Sequence, residues 1–225
     1  MEADNHVLLH DVTVRYGRQI ALEALSGEFA AGSLTAVVGA NGAGKSTLLA
    51  AIAGVVRPST GMVACPARRR LAYLAQLAAI DQGYPLTLSE LIMLGGWREF
   101  GAFRSPGAGL GARMATAAET VGLAGRLSHP INEFSVGELQ RALFARVILQ
   151  DAAVILLDEP FAAVDAQTAT VLIDQVMRWH QERRTVIAVL HDLDLVRTRF
   201  PSALVLACRC LAWGPTAAAL PAMAA

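Results

Sequence analysis

Residues 7–16, VLLHDVTVRY, read as a strand, with apolar and polar positions alternating from Val12 to Tyr16. A second strand is expected around ALEALSGEF. SLTAVVG reads as a short apolar strand running into a glycine turn and the helix KSTLLAAIAG. Gly54 is placed to end that helix, with Pro58 just beyond it. GMVAC and RLAYLA read as two more strands around the basic run Arg68–Arg70. Further on, AVILLD and TVIAVL are continuous apolar runs, the pattern of strands buried on both faces of a parallel sheet. Between them, QTATVLIDQVMRWHQE puts Leu172, Ile173, Val176 and Met177 on one face of a helix. ALVLACRCLAW reads as a closing strand pair, and TAAALPAMAA as a tail without a pattern.

The middle of the chain has a different rhythm. Thr87 and Glu90 form a capping box before the helix LSELIMLGGW. A glycine-rich, proline-containing loop, GAFRSPGAGLG, follows, then a helix over ARMATAAETVGL. Ser135 and Glu138 form a second capping box in FSVGELQR. Gly137 in its first turn leaves room for close approach, and a turn that presents backbone N–H groups suits an anion. Residues 84–150 therefore read as a helical region inserted into a strand–helix alternation. The fold class is α/β with a helical insertion.

Composition narrows the function classes. The 225 residues are 54% hydrophobic and 17% charged, enough to bury a sizeable core. Lys plus Arg and Asp plus Glu both number 19, a net charge of zero that argues against a nucleic-acid partner. The same balance favours a solvated turn for Arg68–Arg70. The most apolar stretches are short and broken by Arg146, Asp151 and Arg209, so no membrane span is expected. The acidic start MEADNHVLLHD lacks the pattern of a signal peptide, which points to the cytosol. Cys65, Cys208 and Cys210 form no disulfide framework. Cys208 and Cys210 are expected to face one side of a strand as small residues rather than as a metal pair.

Candidate chemistry begins at GANGAGKST. Gly39, Asn41, Gly42, Gly44, Lys45 and Ser46 match the P-loop pattern, with a buried strand before it and a helix after. The glycines let backbone N–H groups wrap around phosphates. Lys45 reaches the β- and γ-phosphates, the Ser46 hydroxyl ligates Mg²⁺, and Thr47 belongs to the same ATP-binding turn. VILLDEP ends a strand with two acids where open α/β sheets line their ligand crevice. Asp158 fits a Mg²⁺-organising carboxylate and Glu159 a group that polarises water; the alternative is an ordinary strand end with solvated acids. His191 follows TVIAVL, at the same end of the sheet. Gln76 ends RLAYLA in an equivalent way.

Taken together, GANGAGKST, LAYLAQ, FSVGELQR, VILLDEP, FAAVD and AVLHD resemble the ATP-binding subunit of an ABC transporter, over nearly the whole chain. The resemblance implies a P-loop nucleotide-binding domain of ABC type. Its α/β core with an antiparallel β subdomain would lie in 1–83 and 151–225, and its helical subdomain in 84–150. It implies that Tyr16 stacks on adenine; the alternative is a core or edge-strand tyrosine. Glu159 would be the catalytic base, His191 would contact the γ-phosphate, and Gln76 would touch Mg²⁺ and the attacking water. Ser135, Gly137 and Glu138 would act in trans on the ATP held by a second copy, giving an ATP-sandwiched homodimer. Asp165 would reach toward that copy's site, and it also suits an N-cap of the following helix. The signature departs from the common pattern. Val136 stands for a glycine, Glu138 for a glutamine and Phe134 for a leucine, and Ala75 precedes Gln76 where proline is frequent. A negative Glu138 is tolerable beside phosphate if its side chain turns back to cap its own helix.

Within the family, AYLAQLAAIDQGYPLTLSELIMLGG, RTVIAVLHDLDLVRTRFP and LAWGPTAAAL are similar to zinc/manganese importer ATPases and, less closely, to iron-chelate importer ATPases. This resemblance implies separate polytopic permease subunits, an extracytoplasmic metal-binding protein and a place on the cytoplasmic face of the membrane; with the chain stopping soon after LAWGPTAAAL, no regulatory domain is expected. The resemblance also implies that the transported ion does not touch this chain, and His6, His10, His129, His180 and His191, which do not cluster, do not contradict that. Two other classes fit the P-loop. One is a soluble assembly or repair factor using the same switch. The other is a P-loop kinase, which leaves FSVGELQR, Asp165 and His191 unexplained.

Overall fold

The computed structural model describes residues 5–76, 85–101 and 107–223. The chain divides into two compact units, one built from Met1–Ala75, Ala152–Glu159 and Val176–Ala225, the other from Gln76–Asp151 and Pro160–Gln175. The segment 84–150, expected as the helical insertion, lies within the second unit.

The first unit opens with β1 (Val7–Tyr16) and β2 (Gln19–Phe29), an antiparallel pair. β3 (Leu34–Val38) leads through the glycine turn into α1 (Lys45–Ala53), and β4 (Thr60–Ala64) returns to pair with β1. The result is a three-stranded antiparallel sheet in the order β2-β1-β4. β5 (Leu71–Leu74), β6 (Val154–Asp158), β7 (Thr185–Val189), β8 (Ser202–Ala207) and β9 (Arg209–Pro215) join β3 in a second sheet, ordered β5-β6-β7-β3-β8-β9. All its neighbours run parallel except β9, which returns antiparallel to β8.

Every residue of β3, β6 and β7 is buried, as continuous apolar runs require when a sheet is covered on both faces. Leu48, Leu49 and Ile52 of α1 are fully buried in a core shared with Val37, Leu156, Ile187 and Leu204. Each such side chain contributes about 1.5–3 kcal/mol by leaving water. The antiparallel and parallel sheets meet at Phe29 of β2 and Trp213 of β9, whose ring centres are 4.5 Å apart. Gly54 ends α1 in the left-handed conformation, φ 80°, as its place in the sequence predicts.

In the second unit, α2 (Leu88–Met93) starts at the Thr87–Glu90 capping box. The helix expected to continue to Trp97 breaks after Met93 into a tight turn, Leu94–Gly96, and the short α3 (Trp97–Phe100). Of the expected glycine-rich loop, residues 102–106 lie outside the described residues; α4 (Ala108–Thr120) already occupies its last positions. α5 (Val136–Gln150) starts at the Ser135–Glu138 capping box. α6 (Ala166–Gln181) begins in the second unit and has its last residues, from Val176, in the first; it buries Leu172 and Val176 of its predicted face, together with Trp179. The first unit closes with α7 (Leu193–Arg199) and α8 (Thr216–Ala219), the latter within the stretch read as a patternless tail.

One expectation is corrected. Cys208 does not share a strand face with Cys210: it is the turn residue between β8 and β9, with φ 58°. Among the described residues, no helix is long and apolar enough to cross a membrane.

Candidate nucleotide-binding site

The end of β3 delivers residues 39–46 to the carboxyl edge of the large sheet, between β7 and β8. Two of the loop's glycines are required by neighbouring backbone as well as by any ligand. A Cβ on Gly39 would stand 2.1 Å from the Leu206 carbonyl oxygen, and one on Gly44 2.2 Å from that of Ala21. Gly44 also has φ 91°, where a side chain is strained. The loop is held from behind by the β8–β9 turn. Cys208 donates its N–H to the Ala43 carbonyl over 2.9 Å, and its carbonyl accepts from Glu23 N over 2.7 Å. Asn41 and Gly42 are exposed at the rim, whereas Ser46 and Thr47 are half-buried. Replacing Gly44 with alanine is expected to lower Tm by roughly 5 °C or more and to abolish nucleotide binding, since strain and collision fall on one backbone position. A thermal melt and a fluorescent-nucleotide titration check both parts, and a variant that binds normally would contradict the close fit.

Lys45 is 6% exposed and donates to the carbonyls of Gly39 and Ala40 over 2.8 and 2.9 Å. Burial lowers the pKa of its ammonium, and the charges of Glu159 and Asp158 oppose that shift. Asp158, the last residue of β6, is 1% exposed, and its Oδ1 has no hydrogen-bond partner among the described residues. Burial raises its pKa; a hydrogen bond from the Ser46 hydroxyl pulls the other way, Glu159 raises it, and Lys45 and His191 lower it. A buried carboxylate oxygen without a partner, beside a hydroxyl and a cation, is the donor set that a hard divalent ion completes.

The β6–β7 register pairs Asp158 with Val189, so the chain leaves both strands at one level. Glu159 therefore emerges near His191, whose Nε2 donates to Glu159 Oε1 over 2.8 Å. Glu159 adopts φ 52° while its N–H still reaches the Val189 carbonyl at 3.2 Å. A non-glycine residue in this region costs on the order of 1–2 kcal/mol, and such strain gathers at functional sites. Tyr16, the last residue of β1, is 52% exposed and so is not a core tyrosine. Tyr73, which the sequence does not single out, sits in β5. Burial, then the charge of Asp158, then Tyr16 push its pKa up to about 12. Gln76 lies two residues beyond β5, is exposed, and belongs to the second unit.

In the second unit, Ser135 Oγ accepts from Glu138 N over 3.3 Å and donates to Glu138 Oε2 over 2.8 Å, while Ser135 N donates to the same oxygen over 2.9 Å. The Glu138 side chain thus turns back onto its own helix start. Val136 is 51% exposed beside it. Gly137 has a role not visible in sequence: a Cβ there would stand 2.6 Å from the Ala163 carbonyl oxygen. Asp165 caps α6, its Oδ1 accepting from Thr168 N over 2.9 Å and its Oδ2 from the Thr168 hydroxyl over 2.7 Å.

A parallel sheet whose central strand feeds a glycine loop, a buried lysine and a helix, with paired acids at the end of a nearby strand, defines a P-loop nucleotide-binding domain. The model of the ABC transporter family matches residues 22–162, and the chain belongs to that family, whose ATP-binding domains hydrolyse ATP to power transport. The chain is 34% identical over 219 residues to a zinc transport system ATP-binding protein of Treponema pallidum, covering 95% of this chain and 82% of that protein. It is 30% identical over 213 residues to a manganese transport system ATP-binding protein of Listeria monocytogenes, covering 92% and 89%. Its fold matches a dimeric bacterial ABC transporter cassette with a TM-score of 0.81 at 23% identity, over 93% of this chain and 98% of that one.

Proposed function

We propose that this chain is the energy-coupling ATPase of a metal-ion importer, with zinc as the ion and manganese as the alternative. The observation that carries the reading is the Glu159–His191 pair, hydrogen-bonded at the end of the sheet whose central strand bears the P-loop. It supplies a carboxylate able to take a proton from water and an imidazole able to orient that carboxylate. The named zinc and manganese transport relatives support the choice of ion class.

In this reading residues 39–47 wrap the phosphates of ATP and Tyr16 stacks on its adenine. Lys45 leaves its two carbonyl partners for the β- and γ-phosphates. Ser46 and Asp158 hold Mg²⁺, and Gln76 is assigned to the same ion and to the attacking water on family resemblance. The ion, when bound, neutralises charge on the phosphates. Glu159 accepts the proton of water, and His191 orients Glu159 and meets the γ-phosphate. Ser135 and Gly137, with Glu138 turned back, receive the γ-phosphate held by a second copy of the chain, and Asp165 reaches toward that copy. Closure of this pair drives polytopic permease subunits at the cytoplasmic face of the membrane, and an extracytoplasmic binding protein delivers the metal.

Deleting the gene is expected to stop growth on chelated medium, and zinc should restore it. The wild-type chain should complement the deletion and Glu159→Gln should not. Rescue by manganese alone would transfer the assignment to manganese. Rescue by an iron chelate alone, or a tagged chain that brings down no permease, would sink the metal-importer reading.

A further inference from the structure

A carboxylate in the first turn of an anion-seeking helix is a liability. It carries the charge of the ligand and competes for the same donors. Glu138 occupies that position in α5, and both of its oxygens are already engaged by partners within this chain. Oε2 takes the N–H and hydroxyl of Ser135; Oε1 takes Arg126 Nη1 over 2.6 Å. Hydrogen bonds from the Ser135 backbone and hydroxyl, with the Arg126 charge behind them, hold the Glu138 carboxyl below its usual range. It is therefore ionised at neutral pH. Arg126 comes from the turn Ala124–Arg126, 12 residues upstream, and its guanidinium carbon lies 4.4 Å from the centre of the buried Phe134 ring. The ring face pins the guanidinium on one side while the carboxylate pins it on the other.

We propose that Arg126 is a positioning residue for the nucleotide-dependent pairing of two copies of this chain. Stacked on Phe134, it holds Glu138 back and neutralises it, so that the Ser135 turn can receive a phosphate. The proposal rests on the reading that this turn acts in trans. Without Arg126 the carboxylate keeps a full negative charge within a screening length of the arriving phosphate, and the Ser135 hydroxyl stays tied to the more basic anion.

The test is a double-mutant cycle in the full-length chain. Dimerisation with ATP is read by light scattering in the slowly hydrolysing Glu159→Gln background, and turnover is read in the otherwise wild-type chain. Arg126→Met is expected to leave fluorescent-nucleotide binding to the monomer unchanged, while the ATP-dependent dimer weakens about tenfold. KM for ATP should rise with kcat within about twofold of the parent. In a Glu138→Gln background, whose neutral amide oxygen still accepts from Ser135, the same substitution should change dimerisation by less than about twofold. Arg126→Lys, which retains the charge, should recover most of the loss and serves if Arg126→Met fails to fold. Equal losses in both backgrounds would mean that Arg126 acts through packing on Phe134 alone, and this would overturn the proposal. So would no loss in either. A Glu159→Gln parent that stays monomeric with ATP would instead overturn the trans reading itself, whatever Arg126 does.

Discussion

Glu159→Gln is expected to slow steady-state ATP hydrolysis by about a thousandfold while leaving ATP bound. The substitution is nearly isosteric, and the glutamine side-chain oxygen can still accept the His191 Nε2 proton now donated to Glu159 over 2.8 Å. The left-handed backbone at φ 52° and the N–H contact with the Val189 carbonyl are main-chain features that the change leaves alone. What disappears is the capacity to accept a proton. The loss should therefore fall on kcat, with KM for ATP lower or unchanged, because an interaction specific to the transition state has been removed. Under the proposed pairing in trans, the same variant should also accumulate ATP-bound dimers. A variant retaining more than about a tenth of wild-type turnover would remove Glu159 from the role of base.

Features decided by a few neighbouring residues were readable in the sequence. The Ser135–Glu138 and Thr87–Glu90 caps need only a four-residue pattern, and both boxes form with both reciprocal bonds. β6 and β7 were legible because an unbroken apolar run has few other fates. Features decided by distant partners were hidden. Nothing near Cys208 announces that it becomes the turn bracing Ala43, more than 160 residues earlier in the chain, because that contact depends on β8 lying beside β3. Glu159 is left-handed just where the paired strands β6 and β7 end, and no local pattern encodes that conformation. The early start of α4 within a Gly-Ala stretch went unread, since these residues lack the apolar period that marks a helix. Arg126 is an ordinary surface arginine in sequence, and only the fold of the intervening turn sets it on Phe134 and Glu138.

Asp158→Asn is expected to separate stability from activity. Asp158 is buried at the end of β6, and its Oδ1 has no partner among the described residues. Burial raises its pKa above the ordinary 3.8, against the hydrogen bond from Ser46 and the positive charge of Lys45. A raised folded-state pKa means that the folded chain holds the proton more tightly than the unfolded chain. The group's stabilising contribution is complete below the ordinary value and is lost as pH rises through the raised one. At neutral pH the ionised carboxylate thus works against the fold until a cation reaches it. The amide should relieve this, raising Tm by about 3 °C near pH 7.5, with the gain shrinking toward zero as both proteins are compared at pH 4. Activity should move the other way. ATP turnover with Mg²⁺ is expected to fall at least about a hundredfold, because the proposed charged ligand for the ion would be lost. The extra thermal stabilisation that Mg²⁺ with ATP gives over ATP alone should shrink in parallel. Melting curves across pH, with and without the ion, decide the matter. A lower Tm for Asp158→Asn at neutral pH would mean that Lys45 and Ser46 already compensate the charge in the free protein, and the site would not be held in tension for a metal.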